Sequence, residues 1–182
     1  ELLDERDGDP GPGGLEATCD TEAEVEAQKR LSRHAFGAQF AEVSVDAVSG
    51  EVRVERLLGV FAAGRILNPR TARSQLVGGM TMGIGMALTE ESVLDREHGG
   101  FLNHDLAQYH VPVNADVRGV EAHWVEEDDP HLNPMGSKGI GEIGIVGTAA
   151  AIGNAFFHAT GVRVRELPLR PDRVLAALAR AS

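Results

Sequence analysis

Apolar positions change spacing several times along this chain, and the changes mark its elements. From Gly37 to about Ala62, Phe40, Val43 and Val45 and then Val52 and Val54 fall near a period of two, with Ser49-Gly50 between the runs. This pattern predicts a β-hairpin with one buried face, its second strand continuing through Leu57, Leu58 and Val60. Asn68-Pro69 then opens a helix, because Asn is a good N-cap and Pro fits the first helical position. The helix is predicted over Pro69 to about Glu91, with Leu76, Met80, Ile84, Ala87 and Leu88 on its apolar face. Ser92 to Leu94 and Phe101-Leu102 flank a polar hairpin loop. Val120 to Val125 alternates as a strand, and Glu126 to Gly136 reads as loop. An alanine-rich helix is predicted from Ile143 to about Thr160, a strand from Val162 to Leu167, and a last helix from Pro171 to Arg180. This mixture, with its hairpins, predicts an α+β fold, a mixed sheet packed by helices.

The first residues break the pattern. Glu1 to Gly14 is acidic and rich in Gly and Pro, and Thr21 to Arg30 is a weak helical stretch with Thr21 and Glu24 spaced as a capping box. We read residues 1–31 as a flexible, solvated acidic segment and 32–182 as the folded domain. The chain starts at Glu1 rather than Met, which points to a fragment or a processed piece.

Charge and composition narrow the function. Hydrophobic residues make up 42% and charged residues 25%, ordinary for a globular protein. A net charge of -11 argues against nucleic-acid binding, which calls for a basic face. We find no run of about 18 apolar residues, so no membrane span is expected. The single Cys19 excludes an internal disulfide or a Cys-ligated iron–sulfur cluster in this chain. The 7 histidines show no zinc spacing, so no metal ligands are assigned.

The chemistry concentrates in Gly136-Ser137-Lys138-Gly139-Ile140-Gly141-Glu142-Ile143-Gly144. Glycines let a ligand approach the backbone. A carboxylate desolvated in such a turn is raised toward the range of a general base. Glu142 is therefore either that base or an acidic residue favoured at a helix start. Gly139, Gly141 and Gly144 satisfy G-x-G-x-x-G, but the dinucleotide fingerprint needs a hydrophobic strand before it, and Asp128 to Pro134 is no strand. In the Pro69 helix, Gly78, Gly79, Gly83 and Gly85 invite the close approach of a cofactor or of another helix.

Three blocks together resemble the molybdenum hydroxylases, the xanthine dehydrogenase and aldehyde oxidase family. Ser137 to Glu142 looks like their active-site turn. Ser74-Gln75-Leu76-Val77-Gly78-Gly79 looks like the glutamine-headed, glycine-rich helix beside the molybdopterin. Phe36-Gly37-Ala38, Glu42-Val43, Val45-Asp46 and Gly64 to Pro69 look like the hairpin leading into it. Pro134 to Gly147, His158 to Gly161 and Leu167-Pro168 are most similar to the bacterial aldehyde-oxidising branch.

The resemblance implies a molybdenum–molybdopterin cofactor, in bacteria as the cytosine dinucleotide. It implies that Gln75, Gly78, Gly79, Ser137, Lys138, Gly139 and Gly141 face it, and that Glu142 is the general base of a hydroxylation using oxygen from water. Lys138 would position Glu142 or answer cofactor charge; a solvated lysine is the plain alternative. FAD and [2Fe–2S] clusters would sit on partner subunits or domains, and the upstream part of the molybdenum subunit would complete the site. Substrates would be aldehydes or N-heterocycles. Purine-oxidising members carry proline after the glutamate, whereas Ile143 follows it here. A cytoplasmic location is implied, or a periplasmic one if a partner carries the protein out. Self-association of the chain through uncovered glycine-rich faces is expected. The alternative is a silent module or inactive fragment that keeps only the fold.

Overall fold

The computed structural model of the protein describes Asp20 and residues 22–181. Among these, the residues up to Ser32 and those from Arg33 onward belong to two separate units. In the first, α1 (Glu22–Gln28) is a single short helix whose Glu22 N–H is capped by Asp20 Oδ1 at 2.9 Å. Thr21 and the Glu24 side chain, the expected capping box, lie outside the described residues, as does most of the segment read as flexible.

In the second unit β1 (Phe36–Val45) and β2 (Val52–Ala62) form the expected hairpin, with a bulge at Glu42/Val43. The loop closes through Gly50 at φ +77°, where Pro171 O would stand 2.4 Å from any Cβ, so only glycine fits. β3 (Val120–Trp124) pairs parallel to β2, completing a three-stranded sheet in the order β1-β2-β3. A parallel neighbour needs a crossover, and α2 (Pro69–Leu88) lies in that connection. The mixed sheet and its helices are the α+β arrangement expected.

Asn68 caps α2 as its sequence predicts, its Oδ1 accepting from Arg70 and Thr71 N–H at 3.0 and 3.3 Å. The helix stops three residues short of the expected end. Thr89 leaves helical geometry, and both its N–H and that of Glu90 bond Gly85 O. Leu76, Met80, Ile84 and Ala87 of α2 are buried against Leu57 and Phe61 of the sheet.

Two expectations are corrected. The helix from Ile143 is two helices, α3 (Ile143–Val146) and α4 (Thr148–Thr160), broken at Gly147. Ile143–Thr160 is apolar and long enough to cross a membrane, with mean hydropathy 1.3. Its break, and the full burial of Ile152 and Phe156 in the core, are those of a packed helix pair. Val162 to Leu167 forms no strand. It follows the left-handed cap Gly161 (φ 72°), and its partly buried Val162 and Val164 pack on the core without a ladder partner. α5 (Pro171–Ala181) ends the chain with Val174 buried.

Candidate active site

The glycine-rich turn is built by Asn133 and fixed to the end of β2. Asn133 Oδ1 accepts from the N–H groups of Met135 and Ser137, at 3.0 and 3.3 Å, and its Nδ2 donates to Ser137 O at 2.8 Å. Side-chain bonds of this kind replace regular backbone pairing in tight turns. Ser137 forms an isolated antiparallel bridge with Gly64. On either side, Arg65 N–H bonds Gly136 O at 2.7 Å and Lys138 N–H bonds Ala63 O at 3.1 Å.

Lys138 is not the solvated lysine of the plain alternative. Its side chain is only 6% exposed, and Nζ meets Glu127 Oε1 at 2.5 Å. Glu127 Oε2 also accepts the Gly64 N–H at 2.8 Å. The lysine first, then this backbone bond, holds the Glu127 carboxyl below the usual carboxylate range. The ion pair thus ties the turn to the loop that precedes it. Breaking such a pair from one side is costly, since it strands a charge with little water.

Beyond Lys138 the chain opens to solvent. Gly139 and Gly141 are exposed, and a Cβ on either would meet nothing within 4 Å. Glu142 occupies the N-cap position of α3 with an exposed side chain that makes no cap hydrogen bond. The desolvation expected at Glu142 is therefore not supplied by the described residues.

α2 brings the second block alongside. A Cβ on Gly144 would stand 2.7 Å from Leu76 O, and one on Gly79 would stand 3.1 Å from Ile145 N. Gly79 and Gly144 thus let the α2 and α3 backbones touch. Gly83 does the same for α4, where Thr148 Cβ would lie 2.4 Å away. Gly78 differs: it is exposed with nothing within 4 Å. Gln75, one residue before Leu76, is also exposed, in the second turn of the helix. Gln75 and Gly78 are therefore carried on the helix that packs directly on α3, whose N-cap is Glu142.

Four residues in this frame were not singled out from sequence: Gln39, Glu127, Asn133 and Thr148. Asn133-Pro134 carried a turn signal that could have been read. Glu127 was one of four consecutive acidic residues, and nothing in the spacing selects it. Gln39 reaches the turn from a strand 104 residues away in sequence, where no local pattern points.

Gly78, Gly139 and Gly141 leave room for a ligand at the backbone, and the exposed Gln75 amide, one turn before Gly78 on α2, has no partner among the described residues; open backbone and a free amide fit a large polar cofactor such as a molybdopterin. Comparison with known proteins agrees. The profile of the Molybdopterin cofactor-binding domain family matches residues 12–118. The aldehyde oxidoreductase molybdenum-binding subunit PaoC of Escherichia coli K12 is 51% identical over 150 residues, 82% of this chain and 20% of that protein. A xanthine dehydrogenase molybdenum-binding subunit of E. coli O157:H7 is 40% identical over 152 residues, 84% of this chain and 20% of that one. The structure of an aldehyde oxidoreductase from Desulfovibrio gigas superposes with TM-score 0.71 at 31% identity, covering 80% of this chain and 15% of that one. The chain belongs to the molybdopterin cofactor-binding family of the molybdenum hydroxylases. It spans about a fifth of the length of the curated relatives it matches.

Proposed function

We propose that this chain forms one wall of the active site of a molybdenum hydroxylase, an oxidoreductase, and that Glu142 is its general base. The observation that carries this reading is the exposed Glu142 carboxylate, beside open glycines, on a helix seated against the one that bears Gln75 and Gly78. Gln75 would hold the cofactor through its amide, and Gly78, Gly139 and Gly141 would let it lie against backbone. Ser137 borders the same turn. Lys138 supports the turn through Glu127, and Gly79 serves by letting α2 and α3 meet.

The molybdenum–molybdopterin group would supply the two-electron oxidation. An aldehyde and water become a carboxylic acid, with two electrons and two protons released. A carboxylate oxygen of Glu142 takes a proton from the water-derived nucleophile as it attacks the carbonyl carbon, then yields it to solvent. Covering Glu142 with the rest of the enzyme would supply the desolvation that tunes it for this work.

The 51% identity to an aldehyde oxidoreductase subunit supports aldehydes as the substrate class. Ile143, where purine-oxidising members have proline, favours them over purines. We further assign the cofactor's cytosine dinucleotide form, electron exit through FAD and [2Fe–2S] centres on partner subunits, and a cytoplasmic or partner-exported location.

The test is Glu142→Gln in the assembled enzyme. The amide keeps the shape but cannot take the proton, so turnover should fall about 10²-fold to 10⁴-fold while molybdenum content stays near wild type. Near wild-type turnover would end the assignment.

A further inference from the structure

The helix after Glu142 is interrupted, and one distant side chain fills the interruption. In an unbroken helix the Ile143 carbonyl would accept the Gly147 N–H. At the break that N–H turns to Ile145 O instead. Gln39, on β1, reaches into the gap. Its Nε2 donates to Gly144 O at 2.8 Å and to Ile143 O at 3.4 Å. Its Oε1 accepts the Thr148 hydroxyl at 2.6 Å. Carbonyls only accept, so the amide can face them one way round, and both its ends are engaged.

The fit is close on every side. A Cβ on Gly147 would stand 3.2 Å from Gln39 Cδ. Thr148 is fully buried, and its Oγ1 also lies 3.1 Å from Gly144 O. On the opposite side Gly144 is set against the Leu76 backbone of α2. The single turn of α3 is therefore held between α2 and the Gln39 amide. A helix this short has little stability of its own. Glu142, at its N-cap, has no cap bond to hold its side chain. Where that carboxylate stands depends on where α3 stands.

We propose that Gln39 is a positioning residue for Glu142: its amide fixes α3, and through α3 the base. This rests on the reading of Glu142 as general base. The deciding experiment uses the assembled molybdenum enzyme with one aliphatic and one aromatic aldehyde. Gln39→Met keeps the length and removes the amide. We expect kcat to fall about 10-fold to 100-fold, the loss that small misplacement of a catalytic group produces. KM should stay within about twofold, with molybdenum content and melting temperature near wild type. Amide hydrogen exchange over residues 143–148 should quicken.

Within a Glu142→Gln background, Gln39→Met should cost nothing further, because the group it positions no longer works. If Gln39→Met fails to fold, Thr148→Val probes the same clip from its other end, and Thr148→Ser should restore what Val removes. Unchanged kcat in Gln39→Met, with Glu142→Gln inactive, overturns the positioning role and leaves the base assignment standing. Loss of molybdenum in step with activity, or a further loss in the Glu142→Gln background, reduces Gln39 to a structural residue. Full turnover in Glu142→Gln removes both claims. Hydrogen exchange in Gln39→Met still reports separately whether the amide holds α3.

Discussion

Glycines a few residues apart in α2 do opposite work, and alanine at each should tell them apart. At Gly83 a methyl group would press on Thr148 Cβ, which a Cβ would approach to 2.4 Å. Thr148 is fully buried and cannot swing away. Gly83→Ala should therefore destabilise the chain by about 1–3 kcal/mol, the usual cost of overpacking. At Gly78 nothing lies within 4 Å, so Gly78→Ala should hold or raise the melting temperature, by up to about 1 kcal/mol of helix propensity. If Gly78 faces the cofactor, the same substitution should lower molybdenum occupancy in the assembled enzyme. Thermal melts read the first pair of effects and metal analysis the last. Gln75→Ala belongs with Gly78. It removes an exposed side chain, so folding should be nearly unaffected, while loss of a hydrogen bond to a charged cofactor group should cost about 1.5–3 kcal/mol of retention. Unchanged occupancy with a large thermal loss would make Gln75 structural. Asn68 was legible in the sequence because an N-cap acts on the few residues that follow it. The partner of Lys138 was not, because an ion pair between two loops leaves no periodic trace.

At the scale of elements, legibility followed the source of each element's order. The hairpin and α2 were readable to within a few residues, since alternation, Asn68 and Pro69 act on their own neighbourhood. The break at Gly147 was not, because it depends on Gln39 supplying what the backbone gives up. Val162 to Leu167 alternates like a strand, but a strand needs a neighbour, and this one has only the core beneath it. What secures that last stretch is charge. Glu91, just past α2, binds Arg170, and its Oε1 meets Arg173 at 2.5 Å. Leu169 N–H bonds Ala87 O at 2.7 Å beside them. The Arg170 bond, with that of Arg173, lowers the Glu91 carboxyl from its ordinary value. A carboxylate whose folded pKa is depressed stabilises the fold above its unfolded pKa, and that contribution is lost as pH falls toward the folded value. Glu127 shifts the same way. The melting temperature should therefore be flat near neutrality and fall below about pH 4.3, the unfolded glutamate value. Glu91→Gln should melt lower than wild type at pH 7, and the gap should narrow in that acid range. A gap that stays constant with pH would show that the ion pairs contribute nothing beyond shape.

For the molecule as a whole, the residues assigned to catalysis lie on a surface and not in an enclosure. Gln75, Gly78, Gly139, Gly141 and Glu142 are all exposed, whereas small-molecule sites cover most of the ligand they hold. Nearby on the same helices, Met82 and Met86 of α2 and Val146 of α3 are also exposed, at 62%, 40% and 72%. The core is nonetheless self-contained: Leu57, Phe61, Leu76, Met80, Ile152, Phe156 and Val174 are buried together within the unit that starts at Arg33. We therefore expect the 182-residue chain alone to fold cooperatively, with Phe156→Ala costing about 3–5 kcal/mol as a core truncation does. It should carry no molybdenum and oxidise no aldehyde. It should also self-associate with rising concentration, because large exposed apolar surface seldom stays uncovered. Light scattering, metal analysis and an aldehyde assay on the purified chain decide this together. Replacing Met82 and Val146 by lysine should return it to a monomer without changing its melting temperature by more than a few degrees. Stoichiometric molybdenum with turnover in the chain alone would mean that the exposed face closes on the cofactor without further protein.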